Sequence, residues 1–360
     1  MQLSFLTETP CSNTGLDSPP SPLVLVNTTI PFDCDTPVLG IDALTLLWYE
    51  CEGFDILPFI RDLLDVQFDF TSSFPQKIGV LWDKCFRGSF GCKYMCRAVV
   101  DDSGHFARIR YRLTLSGQAC SRVPLESLIR FMEVVFANNP KVECSRIDIR
   151  LDDYSKRLTF DNLCAALDSK NYSGFLHGTA IKNYDGSDGW TVNLGSRESD
   201  HFVRAYNKLA ESKGRINAHR WESEFKNGKA DYIFHQLASQ KDIVSATACL
   251  ELYIFGNFDF IYKDDKNLER CDRLGWWEDF LTWLGFGRGK IIVEKVKSTI
   301  ESRIVWIKKQ VEKSLALLSR AFGLDDFETF IGDCVASGSR RLRKFDDILL
   351  LEYLDARIVR

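Results

Sequence analysis

Three short segments of this chain alternate apolar and charged residues with a period of two, and no other feature constrains the fold as much. In KVECSRIDIRLDDY (141–154), Ile147, Ile149 and Leu151 fall on one side, and Arg146, Asp148, Arg150 and Asp152 on the other. HFVRAYNK (201–208) places Arg204, Tyr206 and Lys208 together, and AHRWESEFK (218–226) does the same for Arg220, Glu222 and Glu224. A helix of period 3.6 cannot sort such a pattern, whereas a strand with one face in a core can. If the three strands are neighbours, one sheet face gathers a tyrosine, several carboxylates and several cations.

The flanking segments predict the rest of an α+β fold. SFGCKYMCRAVV, DDSGH and FARIRYRLTLSG (89–117) read as strand, turn and strand, and WTVNL-GSRESD-HFVRAYNK (190–208) as a hairpin. VPLESLIRFMEVVFANNP (123–140) spaces Leu125, Leu128, Ile129, Met132, Val135 and Phe136 as an amphipathic helix, and a second helix is expected over 159–168. Beyond about residue 240 the pattern turns helical. Three regions follow: an acidic, Pro/Ser/Thr-rich segment over 1–40, an α+β domain over 41–245, and a mainly helical region over 246–360.

Charge divides the chain in the same way. The net charge is -4, which taken alone speaks against a generic basic nucleic-acid binder. Yet residues 1–60 hold eight acidic residues and no Lys or Arg, while residues 288–345 hold thirteen Lys/Arg against seven Asp/Glu. A polyanion would favour the second stretch and avoid the first.

Several signals are weaker than they look. The twelve cysteines lack the paired spacing of a zinc site and read as reduced, mostly buried thiols. GFGRGK (285–290) lacks the spacing of a phosphate loop. Ser116 and Cys120 read as turn and core residues, and Trp276, Trp277 and Trp283 as core. No leader-like segment opens the chain and no apolar run reaches 18 residues, so a reducing cytoplasm without a membrane partner is expected. The run Arg340, Arg341, Arg343, Lys344 is a solvated face or a set of phosphate contacts.

On residues alone, the charged face is either a salt-bridged solvated surface or a catalytic centre. RLTLSGQACS (112–121), RIDIRLDD (146–153), NLGSRESDHFVRAYNK (193–208) and HRWESEFK (219–226), in that order, resemble the replication initiation factor family, the rolling-circle initiators of small plasmids and filamentous phages with related conjugative relaxases. RLGWWEDFL (273–281) is similar to the phage-type members. The resemblance implies nicking of one origin strand by a tyrosine, with a 5′-phosphotyrosyl link, a free 3′-OH and an assisting divalent metal. Carried over, the nucleophile falls on Tyr206, with Arg204, Arg220, Glu222 and Asp148 at the other motif positions.

Physical chemistry agrees with those roles. A free tyrosine is only about 0.1% phenolate at pH 7, so Arg204 and Lys208 are expected to lower its pKa or hold phosphate oxygens. Carboxylates suit Mg2+ or Mn2+. Asp148 and Asp152, four residues apart on one strand, lie about 13 Å apart, whereas Glu222 and Glu224 lie about 6.6 Å apart, so Asp148, Glu222 and Glu224 are preferred as ligands. Asp153 falls on the opposite face or in a turn. No H-x-H pair exists, and His201 and His219 read as surface or loop residues. Arg197 joins the basic run as a candidate DNA contact. The partners expected are origin DNA, a host helicase and, since the motif holds one tyrosine, a second copy of the chain. A conjugative relaxase or a non-catalytic DNA-binding regulator of the same fold are the competing readings.

Overall fold

Ten antiparallel strands form one sheet in this computed structural model, which describes residues 37–100, 103–183, 189–240, 242–268, 270–285 and 311–342, with 300, 303, 304, 307, 308 and 350. In chain order the strands are β1 (Val38–Tyr49), β2 (Phe74–Ile78), β3 (Val80–Arg87), β4 (Lys93–Val100), β5 (Phe106–Leu115), β6 (Glu143–Asp153), β7 (Tyr172–Ser173), β8 (Gly178–Lys182), β9 (Trp190–Leu194), β10 (His201–Asn207), β11 (His219–Lys226) and β12 (Asp259–Phe260). The large sheet runs β2-β3-β4-β5-β1-β6-β11-β10-β9-β8, and β7 pairs separately with β12. The three alternating segments are therefore neighbours, with β11 between β6 and β10.

Helices accompany the sheet, the longer ones covering its apolar face. They are α1 (Leu57–Leu64), α2 (Gly117–Cys120), α3 (Leu125–Asn138), α4 (Phe160–Asp168), α5 (Lys208–Glu211), α6 (Asn227–Ala238), α7 (Ile243–Phe255) and α8 (Gly275–Trp283). Ile147, Ile149 and Leu151 of β6, Trp221 and Phe225 of β11, and Val203 and Ala205 of β10 are buried on that side. Trp221 sits among Phe255, Phe258 and Trp277, with ring centroids 5.6 to 6.0 Å away. Burying a large apolar side chain contributes about 1.5–3 kcal/mol, so this aromatic group anchors α7 and α8 to the sheet. Ser223, the polar residue of that face, donates to Ile254 O at 2.7 Å, which removes its burial cost.

The local signals read from sequence explain most boundaries. Thr159 caps α4 by accepting from Asn162 N, and Pro124 precedes α3. Ser116 caps α2, accepting from Ala119 N, and Cys120 is fully buried, so both are structural. Trp277 is core, and its Nε1 donates to Asp259.

The chain divides into two compact units, Met1–Ile291 and Ile292–Arg360. Residue 245, expected as a boundary, lies within the first. In the second, α9 (Glu312–Phe322) and α10 (Leu324–Ser339) meet at Gly323, whose φ of 81° suits glycine, and Phe322 contacts Phe330 at 5.7 Å. Residues 1–36, Arg343 and Lys344 lie outside the described residues, as does the first part, over much of 291–310, of the stretch 291–322 expected to be helical.

Candidate active site

Register turns the alternation into a grid. Tyr206 lies opposite Arg220 and Arg220 opposite Asp152; Arg204 lies opposite Glu222 and Glu222 opposite Arg150; Glu224 lies opposite Asp148. Unlike charges face one another in most of these pairs, which stabilises the sheet. Asp148, Arg150, Asp152, Arg220 and Glu222 are all nearly inaccessible. The sequence predicted a charged face, and the structure makes it a buried one.

Two linked networks run through the grid. In the first, the Tyr206 hydroxyl donates to Glu222 Oε1, Arg204 Nη2 donates to Glu222 Oε2, and Lys208 Nζ stands 3.5 Å from the Tyr206 hydroxyl. In the second, Arg220 holds Asp152 through Nε at 2.6 Å and Nη2 at 2.9 Å, and reaches Asp42 through Nη1 at 2.9 Å. Arg150 also donates to Asp152. The bidentate fork fixes Arg220 under Tyr206 and makes Asp152 a positioning group.

Asp42 escapes the sequence argument. It sits at a β-bulge, where Ile41 pairs with Ile149 but Ala43 with Asp148. The extra residue sends the Asp42 carboxylate to the charged side. The sequence carries no clear mark of it, because residues 38–41 and 44–46 are buried on both phases of β1 and the half-buried pair at 42–43 does not stand out from an apolar segment.

The electrostatics correct one expectation. Burial, followed by the Glu222 carboxylate, pushes the Tyr206 phenol well above its ordinary value, and Arg220 only partly opposes this. In this state Tyr206 is a protonated donor whose proton points at a base. Lys208 opens α5 just after the strand end, and its Nζ also pairs with Glu211 at 2.6 Å.

The metal candidates are close but occupied. Arg146 Nη2 bridges Asp148 at 2.6 Å and Glu224 at 2.7 Å, while Lys226 takes the other Glu224 oxygen at 2.7 Å. Burial raises the Asp148 carboxyl to about 6, against the pull of Arg146. Two carboxylates directly opposite each other are a place where positive charge is favoured, and their hard oxygens fit a divalent ion. Arg146 supplies that charge here, and among the described residues no group of three or more His, Cys, Asp or Glu is arranged to hold a metal.

The histidines are a correction: neither His201 nor His219 is a loop residue. His201 opens β10, stacks on Phe225 at 4.4 Å and is driven down to about 3 by burial and Lys229, so it is neutral core. His219 opens β11, with Nδ1 2.7 Å from Leu158 O. Asp153 is fully buried at the end of β6 and accepts from Leu158 N.

An open cavity of 650 Å³ borders this centre, with Tyr206, Arg204, Lys208, Glu222, Asp42 and Arg197 on its wall. Arg197 also lies over the Phe202 ring at 5.3 Å. Arg340 and Arg341 belong to the second unit, where Arg341 donates to Ser337 Oγ at 3.0 Å.

The family model for replication initiation factors matches residues 142–335, more than half of the chain and the whole tyrosine grid. This chain belongs to the replication initiation factor family. Its fold is that of a rolling circle replication initiator protein from Geobacillus stearothermophilus, at a TM-score of 0.52 and 17% identity, covering 71% of this chain and all of that one. No curated protein matches it. Among the described residues no helix is long and apolar enough to cross a membrane. Within this family's fold, the grid on β6, β10 and β11 holds every motif residue that the sequence singled out as catalytic or metal-binding, apart from Lys208, which follows β10.

Proposed function

We propose that this replication initiation factor nicks one strand of origin DNA through Tyr206. The observation that carries the reading is the hydroxyl of Tyr206 donating to Glu222 on the wall of an open cavity, with Arg204 and Lys208 beside it. Glu222 takes the phenol proton as the Tyr206 oxygen attacks the scissile phosphorus. The bond from phosphorus to the 3′ oxygen breaks, that oxygen acquires a proton, and a 5′-phosphotyrosyl link remains. A carboxylate within hydrogen-bond reach is the geometry that general-base catalysis needs.

Arg204 and Lys208 hold the non-bridging phosphate oxygens, and Arg220, locked by Asp152 and Asp42, keeps the tyrosine in register. Asp148 and Glu224, with Glu222 adjacent, would hold Mg2+ or Mn2+ once Arg146 turns aside. The ion would neutralise charge on the phosphate and its leaving oxygen. Arg197, at the cavity wall, is placed to meet the strand next to the cut, and the run from Arg340 serves origin contact from the second unit.

The test is nicking of a supercoiled origin plasmid, or of a single-stranded origin oligonucleotide, with Mn2+ or Mg2+. Tyr206→Phe is expected to give no covalent adduct while keeping DNA binding. An adduct formed by the Phe variant would overturn the nucleophile assignment. Binding that is indifferent to chelator, with no adduct from the parent protein, would favour a non-catalytic regulator.

A further inference from the structure

The charged face does not stop at Arg146. Across β1, Thr45 lies opposite both Arg146 and Thr114, Leu47 opposite Arg112, and Tyr49 opposite Arg110. Alternation in FARIRYRLTL thus brings Arg108, Arg110 and Arg112 of β5 onto the side that bears the tyrosine grid. β4 adds Arg97, directly opposite Arg110.

On β6 and β11 the cations are matched by carboxylates, whereas among the described residues those of β4 and β5 meet only one. Like charges directly opposite one another cost stability, as Arg97 and Arg110 are here. The Nε atoms of both are buried without a protein partner. Burial, then the nearby Arg146 and Arg110, lowers the proton affinity of Arg112, whose Nε reaches Thr114 Oγ1 at 3.4 Å. Among the described residues the carboxylate that pairs with this group is Glu143, 3.1 Å from Arg110 and itself largely exposed. A sheet that opposes arginines without balancing them is set up for an anion from outside.

Aromatic rings fix the guanidinium groups. Arg108 lies over Tyr49 at 3.5 Å, Arg110 over the same ring at 5.2 Å, and Arg97 over Trp82 at 5.7 Å. Stacking of this kind holds the fork in place and reduces the ordering cost of binding. It also covers Tyr49 and Trp82, so that Phe106, in step with Arg108 and 62% exposed, is a single bare ring rather than the row of stacking platforms usual in single-strand binding.

We infer that Arg97, Arg108, Arg110 and Arg112 bind the phosphate backbone of duplex DNA flanking the cut. Four strand steps and a register offset of about ten residues place Arg110 on the order of 40 Å from Tyr206, a little over one turn of duplex. The position of the cut rests on the nicking reading above; the anion site does not.

The test is the salt dependence of binding to a random-sequence duplex, in chelator, by fluorescence anisotropy. Each lost phosphate contact lowers the log–log slope by about 0.9. Arg110→Gln/Arg112→Gln is expected to reduce the slope by roughly two, whereas Arg61→Gln/Arg130→Gln, equal in charge and on α1 and α3, leaves it unchanged. Equal slopes for the two double variants would overturn the inference. Should the first double variant not fold, phenylglyoxal labelling of the unaltered protein decides: Arg110 and Arg112 are expected to be protected by duplex, and equal labelling with and without DNA would reject the site. A slope change in a protein that forms no phosphotyrosyl adduct would support this surface while rejecting nicking, and an adduct with unprotected arginines would do the reverse.

Discussion

Glu222 is the residue on which the chemistry turns, because it accepts from both Tyr206 and Arg204. Glu222→Gln keeps the shape but removes the base, and nicking is expected to fall by about 10²–10⁴-fold, read in single-turnover assays; a loss under threefold would assign the base elsewhere. A second carboxyl speaks through stability. Burial raises Asp153 to about 6, with the backbone N–H groups of residues 156–158 opposing it only in part, and its Oδ1 has no partner. A carboxyl raised above its unfolded value holds its proton more tightly when folded, so its penalty is absent below about pH 4 and complete above pH 6. Asp153→Asn should therefore gain stability relative to the parent as pH rises from 4 to 7, by up to about 3 kcal/mol, measured by urea denaturation. A pH-independent difference would contradict the shift.

At the scale of elements, strands that alternate cleanly were legible and those that do not were hidden. β6, β10 and β11 announce themselves because one face is core and the other charged. β1 does not, since VLGIDALTLLWY is apolar on both phases and its bulge breaks the period; with it Asp42 was lost. The histidines were misread because nothing local marks a strand-opening His as buried; Phe225, which covers His201, comes from another strand. Close approaches between distant segments are equally silent in sequence. Gly174, just after β7, has φ +86°, and a Cβ there would lie 2.2 Å from the Asn257 carbonyl oxygen. Gly214 has a similar φ of +83° but open space around it. Gly214→Ala should cost only backbone strain, roughly 1 kcal/mol, while Gly174→Ala adds a clash with fixed backbone and should cost about 2–4 kcal/mol. Equal denaturation midpoints for the two variants would show that β7 and β12 are not held this closely.

For the whole molecule, a net charge of -4 conceals how the charges are laid out. Positive groups concentrate on β4 and β5, and the carboxylates of β6 and β11 are taken up in pairs. The composition could not show this, because matching depends on which strands are neighbours. The order β5-β1-β6-β11-β10 is what joins an arginine row to a tyrosine centre on one face. The most direct test of that arrangement is peptide mapping, by mass spectrometry, of the covalent product formed from origin DNA and the full chain. The account predicts a nucleotide attached by its 5′ phosphate to Tyr206, within HFVRAYNK. An adduct on any other residue would contradict it.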